Sequence, residues 1–197
     1  MLSFLNPQTL IAVAGLIGVI GIVFAETGLF FGFFLPGDSL LFTAGLLASE
    51  HHLPLVWLLI GTFVAAVIGD SVGYAFGKKI GPAIFTKENS VLFNKEHISR
   101  AQHFYEKHGK KTIILARFLP IIRTFAPIVA GVGMMPYKVF LTFNIIGAFL
   151  WTWGMVLLGY VFGSLIPNPD RYIIPMVIVI IVVSATPTLR EIFRKRI

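Results

Sequence analysis

There is no cysteine anywhere in this chain, which excludes a disulfide framework, a thiolate nucleophile and any cysteine-ligated metal centre. Charge is scarce as well. Only 13% of the 197 residues are Asp, Glu, Lys or Arg, against about a quarter in an ordinary soluble domain. Acidic residues are the rarer sign, nine against sixteen basic ones, for a formal charge of +7. The basic residues flank apolar runs, where membrane orientation needs them, and this argues against nucleic acid as a partner. Hydrocarbon is what the chain has in excess: 56% of residues are apolar and the mean hydropathy is +0.86. The solvent for most of the chain is lipid. A chain of this length supplies about four to six segments of the ~20 apolar residues needed to cross a bilayer. No room is left for a separate soluble domain, so residues 1–197 read as a single membrane domain. Met1 to Gln8 carry no basic n-region and no small-residue cleavage site, and Thr9 onward reads as mature protein.

The first apolar run, about Thr9 to Phe24, reads as a membrane span that ends at Glu26. Gly28 to Ala48 is apolar enough for a helix, but Gly32, Pro36, Gly37 and Asp38 at its centre force the backbone to break inside protein. It reads as a re-entrant hairpin broken at Pro36 and Gly37. A polar stretch, Ser49 to Pro54, precedes a clean span from Leu55 to about Phe76 that stops at Lys78 and Lys79. Residues 78–111 form a polar cytoplasmic linker, in which Ile98, Ala101, Tyr105 and His108 share one face of a helix begun near Asn94 and ended by Gly109. That helix is expected to lie flat on the membrane surface. Thr112 to Gly133 repeats the earlier theme, interrupted by Arg117, Pro120, Arg123 and Pro127, and reads as a second hairpin broken at Pro120 and Pro127. Tyr137 to Phe162 and Ile173 to about Leu189 are the last spans, and residues 172–197 carry the C-terminal span and a basic tail.

Full spans change sides and hairpins do not. With the N-terminus inside, this scheme places Lys78, Lys79, Lys87, Lys95, Arg100, Lys107, Lys110, Lys111, Lys138 and the basic tail on the cytoplasmic side. Only Arg171 falls outside, beside Asp170. Both termini are therefore expected in the cytoplasm. An internal repeat agrees: an offset of 86 residues aligns Ala44-Gly45 with Ala130-Gly131, Gly61 with Gly147, and Gly73-Tyr74-x-Phe76-Gly77 with Gly159-Tyr160-x-Phe162-Gly163. The first repeat covers 26–77 and the second 112–163. The expected fold is an all-α polytopic membrane protein, an inverted repeat of two opposed re-entrant hairpins, each followed by a transmembrane helix, with flanking transmembrane helices. Inverted repeats of this kind are the architecture of many secondary transporters.

Glu26 with Pro36-Gly37-Asp38, Gly69-Asp70-x-x-Gly73-Tyr74, Arg117-Phe118-x-Pro120-x-x-Arg123 with Pro127, and Asn144-x-x-Gly147-Ala148-x-x-Trp151 together resemble the DedA family of bacterial inner-membrane proteins. The resemblance covers roughly residues 20 to 163. It implies the fold with two opposed re-entrant loops shared with VTT-domain lipid scramblases, dependence on the proton motive force and, for some members, recycling of undecaprenyl phosphate. The family's essential acids and arginines fall on Glu26, Asp38, Arg117 and Arg123.

Four charges within hydrocarbon, each costing at least ~2.5 to 3.5 kcal/mol on insertion scales, call for pairing or a wet cavity. Guanidinium forks bind phosphate oxygens bidentately, so Arg117 and Arg123 suit a lipid phosphate headgroup whose tails stay in the bilayer. Glu26 and Asp38 are the candidates for proton coupling. The bland readings are interfacial acids, fold-stabilising ion pairs and arginines that snorkel to the cytoplasmic face. Asp70 reads either as a structural contact to Asn144 or a nearby arginine, or as a proton site. Asn144 and Trp151 are candidates to line the cavity. The glycines spaced by four at 69, 73 and 77 read as helix packing, and the histidines at 97, 103 and 108 as a solvated face without metal-site geometry. No metal and no cofactor is expected, and glycine-rich faces permit a homodimer. Three function classes follow: a proton-coupled translocase of an anionic lipid carrier such as a polyprenyl phosphate, a proton-coupled antiporter of small cations or cationic drugs, and an enzyme acting on lipid phosphate esters. The last finds no paired nucleophile and base, since Ser39 and Ser164 have no base within their own segments.

Overall fold

The computed structural model describes residues 7–29, 37–84 and 111–165. These are helical throughout apart from short turns, with no strand among the described residues. In chain order the helices are α1 (Pro7–Gly28), α2 (Gly37–Ser49), α3 (Leu55–Ile84), α4 (Thr112–Ala116), α5 (Pro120–Val132) and α6 (Tyr137–Leu165). The surface helix expected near residues 94–109 and the last span near 173–189 lie outside the described residues.

Among the described residues two helices, Leu55–Ile80 within α3 and Tyr137–Leu165, are long and apolar enough to cross a membrane. Each presents an apolar stripe outward, including Val56, Ile60, Val64, Ile68 and Val72 on α3 and Phe149, Leu157 and Val161 on α6. The one acid of these helices, Asp70, is buried instead, as are Glu26, Arg117 and Arg123 from neighbouring segments, while Lys78, Lys79 and Lys138 are exposed near the helix ends. Such an arrangement, hydrocarbon outside and ionised groups inside, is stable only where the surrounding solvent is itself apolar. The chain is a membrane protein. By contrast α2 and α5 have 13 residues each, about 20 Å of helix at 1.5 Å per residue, short of the ~30 Å hydrocarbon core.

The short helices pack across the chain. α2 lies against α6, while α5 lies against α3, and α1 also packs on α3. Glycine permits both short-on-long crossings. A Cβ on Gly45 would overlap the Val156 backbone, and one on Gly159 would overlap Phe42. At the other crossing a Cβ on Gly131 would strike Tyr74 and Lys78, and one on Gly77 would strike Ile128. Two buried hydroxyls within the bundle are satisfied one turn back on their own helices: Thr62 donates to the Leu58 carbonyl at 2.7 Å and Thr152 to that of Ala148 at 2.8 Å.

Several expected boundaries shift. α1 continues through Glu26 to Gly28, and α3 runs past Lys78 and Lys79 to Ile84. Pro127 does not break its segment; it sits inside α5. Proline lacks the N–H that would reach the carbonyl of residue 123, one turn back, but a single missing bond is tolerated in a packed membrane helix. The real interruption is at Arg117–Leu119, where α4 ends and the extended Leu119 caps α5, with Pro120 first in the new helix. Gly37 begins α2, and Pro36 lies outside the described residues.

Candidate functional site

The break between α4 and α5 places Arg117 just beyond one helix and Arg123 in the opening turns of the next. Their guanidiniums enter the bundle interior, where Arg117 is 3% and Arg123 6% exposed. Desolvating a guanidinium requires carboxylate and carbonyl partners close at hand, and the bundle supplies them from every side.

Arg123 donates through Nη1 to Asp38 Oδ1 at 2.7 Å and through Nη2 to Glu26 Oε1. Glu26 comes from the last turn of α1 and Asp38 from the first turn of α2. The Glu26 carboxylate is fully buried, and its Oε2 has no hydrogen-bond partner among the described residues. It lies where a Cβ on Gly37 would be, so only glycine at 37 leaves space for it. Asp38 is more open, its side chain 19% exposed.

Arg117 meets a different set. Its Nη2 donates to Asp70 Oδ2, to Asn144 Oδ1 and, at 3.4 Å, to the Ala66 carbonyl. Asn144 in turn donates Nδ2 to the Val67 carbonyl at 3.1 Å, which fixes its amide with the oxygen toward Arg117. The Arg117 side chain lies along Gly147, where a Cβ would press on Cδ.

Trp151 lies close to both arginines. Its ring centroid is 4.6 Å from Arg123 Cζ and 5.9 Å from Arg117 Cζ, within cation–π range of both. Its Nε1 donates to Asp38 Oδ1 at 2.7 Å, sharing that oxygen with Arg123. Asn144, Gly147, Ala148 and Trp151 recur at helical spacing along one buried face of α6.

All seven candidates, Glu26, Asp38, Asp70, Arg117, Arg123, Asn144 and Trp151, therefore converge on one buried cluster. Three carboxylates face two guanidiniums, a formal excess of one negative charge when all are ionised. Among the described residues no group of His, Asp or Glu is arranged to hold a metal ion. The sequence did not single out Thr124, whose buried Oγ1 has no partner among the described residues, or the Ala66 and Val67 carbonyls. Backbone acceptors leave no trace in side-chain chemistry, although Thr124 adjoins Arg123.

A family model for the VTT domain matches residues 35–161. The chain is 46% identical over 177 residues to Protein DedA of Escherichia coli (strain K12), covering 89% of this chain and 80% of that protein. It is 43% identical over 186 residues to an uncharacterized membrane protein of Mycobacterium leprae (strain TN), covering 94% and 83%. The inner membrane protein YqjA of Escherichia coli (strain K12) is 34% identical over 143 residues, covering 73% of this chain and 65% of its own. No solved structure matches. With that domain spanning more than half of its length and these relatives aligned along most of the rest, the chain belongs to the VTT-domain, or DedA, family of membrane proteins.

Proposed function

We propose that this protein is a proton-coupled transporter of an anionic lipid, with a polyprenyl phosphate such as undecaprenyl phosphate as the substrate to test first. One observation carries the reading: a buried guanidinium, Arg123, is held between two carboxylates, Glu26 and Asp38, inside a bundle whose outer surface is hydrocarbon. A guanidinium so placed is a phosphate site occupied by its own counter-ions. Protonation of Glu26 or Asp38 removes a competing anion and frees N–H donors for a headgroup. Deprotonation on the low-proton side restores the internal pairs and expels it. Carboxylate and lipid phosphate thus compete for one guanidinium and the proton decides between them, which is the minimum needed for coupling.

The architecture is part of the proposal. Two opposed re-entrant hairpins related by an inverted repeat would put α2 and α5 at matching places in the two halves. In support, each short helix lies on the long helix of the other half, α2 on α6 and α5 on α3, with a close glycine contact at both crossings. The 86-residue offset carries Gly45 onto Gly131, one glycine from each crossing. The bacterial cytoplasmic membrane, with both termini cytoplasmic, is the location that the basic residues favour.

The negative excess of the cluster favours a second reading, proton-coupled exchange of a small cation or cationic drug at the carboxylates. Proteoliposomes loaded with undecaprenyl phosphate separate the two. Wild type should move the lipid across the bilayer and respond to an imposed pH gradient; Arg123→Ala should abolish movement, while Glu26→Gln and Asp38→Asn should remove the response to the gradient. Lipid that stays put in every condition, with protons exchanging for a cation instead, establishes the second reading and ends the first.

A further inference from the structure

The sequence expectation placed both arginines on the phosphate; the geometry separates them. We infer that Arg117 is a positioning residue, neutralised by Asp70 and oriented by Asn144, that pins the α4–α5 break to the long helices, and that Arg123 alone exchanges its partners for a headgroup. The inference rests on the lipid-transport reading for the identity of the ligand.

The partners differ in origin. Among the described residues every acceptor of Arg117 comes from α3 or α6: the Asp70 carboxylate and Ala66 carbonyl on one, the Asn144 carboxamide on the other. Among the described residues these are two helices long and apolar enough to span the membrane. Asn144 is itself held across to α3 by its bond to Val67. Arg123 is held instead by the ends of α1 and α2.

Charge divides the same way. Around Arg117 one cation faces one anion, Asp70, and both side chains are nearly sealed from solvent, at 3% and 4% exposure. Around Arg123 one cation faces two anions, Glu26 and Asp38. The whole excess negative charge of the cluster therefore sits in the Arg123 half, and so does its most open acid, Asp38. A proton entering the cluster finds an unbalanced carboxylate there and a balanced pair beyond Trp151. The Trp151 ring is in range of both guanidiniums and closer to Arg123 than to Arg117.

A neutralised internal pair behaves differently from a ligand site under substitution. Removing one member strands a buried charge, whereas replacing both with neutral side chains of similar shape leaves the fold largely intact. The test compares two double variants in proteoliposomes carrying undecaprenyl phosphate: Arg117→Gln with Asp70→Asn, and Arg123→Gln with Glu26→Gln. The first is expected to keep at least a third of wild-type lipid movement, although Arg117→Gln and Asp70→Asn singly lower the yield of folded protein. The second is expected to fold and to lose movement by a hundredfold or more. A folded Arg117→Gln/Asp70→Asn protein as inactive as the Arg123 pair overturns the inference. Wild type that moves no lipid overturns the transport reading instead.

Wild-type protein gives an independent readout that needs neither variant to fold. Arginine side-chain 15N resonances in nanodiscs, followed through acidification and then lipid addition, should shift for Arg123 at both steps and stay fixed for Arg117. A response at Arg117 to either step overturns the assignment, including its lipid-independent part.

Discussion

Alanine at Gly159 should weaken the bundle, whereas alanine at Gly154, five residues away on the same helix, should not. A Cβ at 154 meets nothing within 4 Å, but one at 159 would overlap the Phe42 backbone of α2. Contact between a carbon and a carbonyl oxygen needs about 3.3 Å, so α2 and α6 must part by roughly 1 Å to admit the methyl. Overpacking of this kind costs about 1–3 kcal/mol. Against it, alanine is favoured over glycine in helices by about 0.8–1 kcal/mol, a gain both sites share. The difference between the two variants therefore isolates the crossing, at about 1–3 kcal/mol. Gly45→Ala, which meets Val156 across the same crossing, tests the geometry further. Once α2 has moved off α6 the second methyl has room, so Gly45→Ala with Gly159→Ala should fall short of additivity by about 0.5 kcal/mol or more. Gly45→Ala with Gly77→Ala, on separate crossings without a shared partner, should be additive within about 0.5 kcal/mol. Reversible unfolding by SDS titration in mixed micelles measures all of these. Equal stabilities for Gly154→Ala and Gly159→Ala would refute the close approach of α2 to α6 and, with it, the placement of Asp38 beside Trp151.

Trp151→Phe keeps an aromatic face for the guanidiniums but removes the N–H donated to Asp38. It should cost about 1.5–3 kcal/mol, the range for hydrogen bonds to charged groups, read as a lower unfolding midpoint, and Trp151→Ala should cost more. Gly37→Ala should displace the Glu26 carboxylate from its seat and reduce lipid movement at least tenfold in the same vesicles, while circular dichroism shows unchanged helix content. Tyr74→Phe removes a buried hydroxyl that donates to the Met135 carbonyl but retains the ring stacked on Phe140 at 4.7 Å, and should lower stability by about 1 kcal/mol. Ile68→Lys, on the outward face of α3, should lower membrane insertion by about 2.5–3.5 kcal/mol at mid-bilayer, seen as a loss of membrane-extracted protein; an undiminished yield would place that face away from lipid.

The sequence made the helical segments and the buried charges legible because both follow from local rules: apolar length for spans, and the cost of ionised groups in hydrocarbon for the site. Helix ends were less legible. Apolar runs mark where the bilayer ends, not where the helix does, so Glu26, Lys78 and Lys79 read as terminators while the backbone continues through them. Pro127 misled for a related reason, since a missing N–H breaks a helix in water more readily than in a packed bundle. The pairing of the charges was the least legible. Arg117 finds Asp70 at 47 residues' separation and Arg123 finds Glu26 at 97. Nothing in the residue types distinguishes that pairing from its exchange; the packing of α5 on α3 and of α2 on α6 decides it.

That exchange of partners between halves has a consequence for synthesis. α2 begins at residue 37 and the helix it packs against begins at residue 137, 100 residues later. At about 5–20 residues per second of translation, α2 waits some 5–20 s for α6. Throughout that interval Asp38 is without the Trp151 indole, and for most of it Glu26 is without the Arg123 guanidinium, inside or beside a membrane that penalises both. A nascent first half therefore needs shelter, from the insertion machinery or from protons on its own carboxylates, until the second half arrives to neutralise it.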